Sequence, residues 1–177
     1  WNTYTEIWGT GKIEEAVYLQ QLGYAYAEGC ENEFKPYIYV LGAGKDVEEV
    51  LPIHITSGKY PTTQTEIMLP NHLYTNGGVK YSLGDSITLE LGQRMLDGWE
   101  LTQNNPCYIY EQGDEVFNGE KLEVKETRTY TVVGFYDRMS NMIEETTAPG
   151  YTALTVSDKE TYTPYKYDVY FRMENPK

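Results

Sequence analysis

Residues 57–91 read SGKYPTTQTEIMLPNHLYTNGGVKYSLGDSITLEL, and the punctuation of this stretch governs how the rest of the chain is read. Gly58-Lys59-Tyr60-Pro61 is a turn, because glycine adopts backbone angles that a Cβ resists and proline cannot donate to a ladder. Glu66-Ile67-Met68-Leu69 follows as a strand. Residues 70–74 suit a short helix with Pro70 in its first turn, and Gly77-Gly78 ends it. Ser82-Leu83-Gly84-Asp85 is a second turn, in which Asp85 can bond its own downstream backbone as Asx turns do. Residues 86–91, SITLEL, alternate as a strand with one wet face.

Upstream, residues 2–8 alternate as a strand, which Gly9-Thr10-Gly11 breaks. Residues 12–22, KIEEAVYLQQL, place apolar side chains at Ile13, Ala16, Val17, Leu19 and Leu22. That spacing predicts an amphipathic helix, with Gly23 in the position of a C-cap glycine. Strands are expected over 24–28 and 34–41, with Pro36 near the start of the second, and a helical turn before Pro52 leads into another strand. Downstream the pattern is β throughout, with strands at 99–102, 107–111, 121–125, 127–136, 151–157 and 167–173. Residues 139–145 read as a helical loop. Helix in the first half and strands in the second give an α+β class with two subdomains.

Composition removes several function classes. The 177 residues carry 27 acids against 14 Lys and Arg, a formal charge of −13, which repels phosphate backbones and argues against nucleic-acid binding. The same balance offers no attraction to anionic lipid headgroups. Eighteen tyrosines dominate the aromatics, and tyrosine suits half-buried strands that keep a hydroxyl wet. No apolar run reaches the ~18 residues of a membrane span. The chain opens at Trp1 inside an apparent strand and closes on Asn175-Pro176-Lys177, so both ends read as positions within a longer protein. Cys30 and Cys107 form no CxxC pair; a disulfide is open to an exported domain, and two unpaired small buried residues are the preferred reading.

The catalytic motifs that the sequence suggests are each incomplete. Gly9-Thr10-Gly11-Lys12 resembles the end of a phosphate-binding loop, but Glu6 stands where its first glycine belongs and Ile13 where a magnesium-binding hydroxyl belongs. Gly42-Ala43-Gly44-Lys45 fails in the same way at Tyr39 and Asp46. A dinucleotide fingerprint lacks its third glycine at Glu14 and Val47. His54 and His72 have no metal-ligand spacing and read as surface or half-buried histidines. No GxSxG elbow is present. The acid pairs Glu14-Glu15, Glu48-Glu49 and Glu144-Glu145 read as solvated faces rather than as a hydrolytic carboxylate pair. No catalytic residue, metal site or cofactor is expected.

The 57–91 stretch resembles the core segment of the MacB-like periplasmic domain of FtsX-like permeases. That pattern is a Gly-basic-x-Pro turn, a Glu-Ile-x-Leu strand, a short helix, then Gly-Asp and a strand. Here it is carried by Gly58, Pro61, Glu66, Gly84 and Asp85. Tyr130-Thr131-Val132-Val133-Gly134-Phe135 is similar to the family's returning Val-Val-Gly strand, and Asp168-Val169-Tyr170-Phe171 to the strand that leads back to its first subdomain. The resemblance implies an α/β subdomain over 1–56, an inserted barrel-like β-rich subdomain over 57–164, and a return strand over 165–177. It also implies an extracytoplasmic domain of an ABC transporter permease, standing outside the cell membrane between transmembrane helices that lie beyond this chain. The expected partners are a cytoplasmic ATPase subunit or domain and a second permease copy. Substrate contact is expected in the Tyr-rich stretch 96–125, where no familiar motif occurs. The alternative is a secreted carbohydrate- or ligand-binding module using Trp1, Trp8 and Trp99 as stacking platforms. A secreted hydrolase is the third reading.

Overall fold

The structure, a computed structural model, describes residues 13–44, 47–112, 115–139, 144–157 and 166–173. The strand expected over 2–8, the first glycine-rich loop, Trp1, Trp8 and the residues from 174 onward lie outside them. Eleven strands are described: β1 (Ile13–Tyr26), β2 (Tyr37–Ala43), β3 (Ile55–Gly58), β4 (Glu66–Pro70), β5 (Ser86–Leu96), β6 (Trp99–Leu101), β7 (Ile109–Gln112), β8 (Glu115–Asn118), β9 (Lys121–Tyr136), β10 (Gly150–Val156) and β11 (Tyr167–Met173). Among the described residues the only helices are two short turns, α1 (Val47–Val50) and α2 (His72–Thr75). The fold is therefore mostly β, and the α+β expectation is corrected.

The correction turns on residues 12–22. They form no amphipathic helix; from Ile13 they belong to β1, which pairs with β11 on one side and β2 on the other. Gly23 is not a helix cap but sits where the β1–β2 register shifts. That shift explains the misreading. Val17 and Leu19 face one core cluster from odd positions, and past the bulge Tyr24 faces the same cluster from an even one. Gln20 and Leu22 are buried as well, so alternation is lost and the apolar spacing imitates a helical stripe. Pairing on both edges decides the conformation over local spacing.

Nine strands form one mixed sheet in the order β11-β1-β2-β10-β4-β9-β5-β6, with β3 on β9 and a bridge between Tyr24 and Gly92 that brings β1 back to β5. β10 runs parallel to β2 and β4 parallel to β9. Strand β2 is buried along its whole length. Its even residues Ile38 and Val40 enter one hydrophobic cluster and its odd residues Tyr37, Tyr39 and Leu41 the other. Ile67 and Leu69 against Met68 on β4 divide in the same way, the period-2 signature of a strand covered on both faces. β7 and β8 form a separate two-stranded ribbon.

Several local expectations hold. The helical turn before Pro52 is α1, and β3 follows it. Strands occur at 66–70, 86–96, 150–156 and 167–173. Two differ in detail: Pro70 closes β4 rather than opening α2, and 121–136 is one continuous strand. Of 139–145, Met139 is buried and Glu144 lies in a bend; 140–143 fall outside the described residues. Among the described residues no helix is long and apolar enough to cross a membrane.

Candidate functional site

The motif residues singled out in the sequence meet around β9. Gly58 on β3 pairs with Gly134, and Lys59 N–H donates to the Val133 carbonyl at 2.9 Å. Gly84 N–H donates to the Val132 carbonyl at 2.8 Å, and Val132 N–H to the Asp85 carbonyl at 2.8 Å. Asp85 Oδ2 accepts from Ser82 N at 2.8 Å, so the carboxylate bonds upstream of itself and not downstream as expected. Pro61 is buried between β3 and β4 in sequence. Glu66 accepts from Lys59 Nζ at 2.7 Å and from the backbone N–H and hydroxyl of Thr62 at 2.7 and 2.8 Å. The Lys59 bond first, then the two Thr62 donors, hold its carboxyl down at about 2. These are turn- and strand-locking roles.

Gly58 has φ +75°, and a Cβ there would lie 2.1 Å from the Val133 carbonyl oxygen. Gly84, at φ +91°, faces open space. Gly58→Ala is therefore expected to cost well over the ~1 kcal/mol of backbone strain that Gly84→Ala costs. Urea denaturation of the two variants measures the difference, and equal losses would show that the close approach at β9 carries no weight.

A buried ionic centre lies beside this cluster. Glu144 is fully buried, and its Oε1 receives His72 Nε2 at 2.7 Å and Lys35 Nζ at 2.8 Å. Its Oε2 accepts from Thr152 N at 3.0 Å, and Arg138 Nη2 donates to the Glu144 carbonyl at 2.7 Å. Lys35 Nζ also donates to the Ala148 carbonyl at 2.7 Å and stands 5.1 Å from the centre of the Tyr151 ring. Burial pushes the Glu144 carboxyl upward, but the His72 hydrogen bond and the Lys35 charge outweigh it and hold the group at about 2. A groove of about 600 Å³ runs past this centre, lined by Asn71, His72, Tyr74, Lys80, Phe135 and Arg138 among others. Beyond it, His54 Nδ1 contacts Asp137 Oδ2 at 2.7 Å on the exposed surface. Glu144 is thus a saturated anchor joining three segments. Its reading as one of a solvated acid pair is corrected, because tertiary contacts supply the cations.

A second buried ion pair fastens the 97–120 excursion to the sheet. Arg94 Nε and Nη2 donate to the two oxygens of Glu120 at 2.8 and 2.6 Å, with both side chains fully buried. Nη1 donates to the Thr102 carbonyl at 2.7 Å, and both Nη atoms reach the Asn105 carbonyl at 3.1 Å. Glu120 also accepts from Tyr108 N at 2.7 Å and from Tyr37 OH at 3.2 Å. The guanidinium lies 5.3 Å from the centres of both the Tyr24 and the Tyr37 ring. Burial raises both phenols above their ordinary range, so they remain neutral beside the ion pair.

No protein-family model matches the chain, and no curated protein is similar to it. Solved structures similar to this chain include a permease domain. That structure is "a domain of a putative Permease protein from Porphyromonas gingivalis", at TM-score 0.48 and 12% identity, over 93% of this chain and 57% of that chain. This chain thus spans little more than half the length of that neighbour.

Sequence reading missed both ionic centres. Lys35, His72 and Glu144 are far apart in the chain and share no spacing. Arg94 did leave a trace: burial alternates through Ile87, Leu89 and Leu91, shifts at Gly92, and lands next on the arginine. Among the described residues no group of three or more His, Cys, Asp or Glu could hold a metal. Cys30 and Cys107 are both free thiols. Burial, with Glu120 adding to it, pushes the Cys107 thiol up to about 12. Iodoacetamide at neutral pH is therefore expected to leave Cys107 unmodified in the folded protein and to alkylate it on unfolding, read by peptide mass spectrometry.

Proposed function

We propose that this chain is the extracytoplasmic domain of an ABC-transporter-type permease, of the MacB-like kind found in FtsX-like permeases. One observation carries the reading. The pieces of the resemblance lie far apart in sequence, and Gly58, Glu66, Gly84, Asp85 and Gly134 nevertheless interlock around β9. On this reading the domain binds or handles something outside the membrane and moves with flanking helices. ATP hydrolysis belongs to a cytoplasmic partner, the permease works as a dimer, and the domain itself performs no catalysis and needs no cofactor.

Expression of the complete reading frame tests it. Protease added to intact cells should cut within this domain while the protein stays in the membrane fraction and co-purifies with an ATPase. Release of a soluble protein ending at Lys177 would overturn it. A second reading, a carbohydrate-binding module, draws on the exposure of Trp99, Tyr108 and Tyr110; retention on immobilised oligosaccharide, lost on Trp99→Ala, would favour it.

A further inference from the structure

The chain contains two Asn-Gly pairs, Asn76-Gly77 and Asn118-Gly119. In such a pair the glycine amide nitrogen can attack the asparagine side-chain carbonyl carbon, because no Cβ on the glycine stands in the way. A bond forms between that nitrogen and Cγ, the side-chain nitrogen leaves as ammonia, and a five-membered succinimide remains. Water then opens the ring at one carbonyl to give aspartate or at the other to give isoaspartate. No oxidant, metal or second protein is required. In a folded chain the rate depends on which of the reacting atoms the fold has already committed.

Asn76 is exposed and caps the C-terminus of α2. Its Oδ1 accepts from Asn32 Nδ2 at 2.7 Å and from the Tyr151 hydroxyl at 2.8 Å. Asn32 Oδ1 is itself occupied by the Phe34 N–H at 3.1 Å, which fixes Asn32 Nδ2 as the donor and the Asn76 atom as oxygen. Two donors on that oxygen stabilise the negative charge that develops there during attack, as in an oxyanion hole. The leaving group, Asn76 Nδ2, and the nucleophile, the Gly77 N–H, have no hydrogen-bond partner among the described residues. Ring closure rotates the Asn76 ψ from −35°. The bonds that resist are those of the Gly77 carbonyl to the Glu31 N–H and of the Gly78 N–H to the Tyr74 carbonyl, both 2.9 Å, in a surface turn.

At Asn118 all of these groups are committed. The Gly119 N–H donates to the Tyr108 carbonyl at 2.8 Å. Asn118 Nδ2 donates to the Tyr37 hydroxyl at 3.0 Å, and Asn118 Oδ1 accepts from Glu120 N at 2.9 Å. Asn118 is also paired with Ile109 in the β7–β8 ribbon, which the buried Arg94–Glu120 pair fastens through Tyr108 N. We infer that Asn76 is a deamidation site of the folded protein, reacting through a succinimide with Gly77, and that the fold protects Asn118. Asn76 ties α2 to Asn32 and to Tyr151 on β10, and isoaspartate inserts a backbone methylene into that turn. Because α2 also carries His72, which holds Glu144, conversion loosens this corner irreversibly. This concerns the covalent chemistry of the chain itself and does not rest on the permease reading.

The experiment incubates the 177-residue chain in mildly alkaline buffer, folded and, in parallel, unfolded in guanidinium chloride. Mass spectrometry follows the tryptic peptides 60–80 and 95–121, with fragment ions locating the amide that becomes a carboxylate. In the folded chain Asn76 should convert about tenfold faster than Asn118, the factor that one additional hydrogen bond to be broken imposes. In the unfolded chain the two should convert at similar rates, and Asn76→Gln should leave peptide 60–80 unchanged at Gly77. Equal rates at the two sites in the folded chain, faster conversion of Asn118, or conversion of Asn76 only after unfolding would overturn the inference. Converted chain should also unfold at a lower denaturant concentration than fresh chain, with no such shift in Asn76→Gln treated alike. An unshifted converted chain would overturn the loosening of α2.

Discussion

Glu144→Ala is expected to lower the unfolding free energy by about 3–5 kcal/mol, the cost of breaking a buried ion pair and leaving its partner uncompensated. The carboxylate is fully buried and joins Lys35, His72 and the Thr152 N–H. Removing it strands the Lys35 ammonium, which is itself buried and keeps only the Ala148 carbonyl and the Tyr151 ring face. Three segments distant in sequence come loose together. Urea denaturation at neutral pH measures the loss, and a change under about 1 kcal/mol would mean the centre is solvated. The pH dependence has a definite sign. The folded carboxyl lies at about 2 against an ordinary 4.5, so its contribution is complete above about 4.5 and is lost as pH falls through that value toward 2. The stability gap between the parent and Glu144→Gln should therefore close across that acid window. A gap unchanged by acid would remove Glu144 as the titrating group.

Glu120→Ala is expected to cost a similar ~3–5 kcal/mol, because it abandons the Arg94 guanidinium inside the protein. Arg94 then retains backbone carbonyls of residues 102, 105 and 106 but no counter-charge. The variant also releases the Tyr108 N–H at the foot of the β7–β8 ribbon. Paired replacement, Arg94→Met with Glu120→Leu, should recover much of the loss, since a buried pair exchanged for apolar groups is often near neutral. The cycle of single and double variants reads the coupling directly. Losses that simply add would show that the two side chains stabilise the fold independently.

These two centres mark what could not be read from the chain. Residues 57–91 were legible because each signal in them is local: a glycine that must turn, a proline that cannot pair, an alternating run with one wet face. The turn at 82–85, strands β4 and β5 and the helical turn before Pro52 all follow from such signals. Residues 12–22 were misread because the bulge near Gly23 and burial on both faces erased the alternation that identifies a strand. Glu144 beside Glu145 looked solvated because nothing near it in sequence announces Lys35 or His72.

By itself, then, the sequence determined a turn-punctuated, tyrosine-rich, acidic β chain, and it marked the turn at 82–85 and the strands β4 and β5 on either side of it and α2. Those outcomes depend on backbone freedom and side-chain period, which neighbours in the chain express without help. Tertiary structure alone decided that β1 is a strand, which acids are buried, and that an aromatic ribbon stands on an arginine–glutamate base. The reason is physical. A carboxylate's state depends on the charges and water around it, and in this fold the cations that meet Glu144 and Glu120 arrive from segments that only folding brings together.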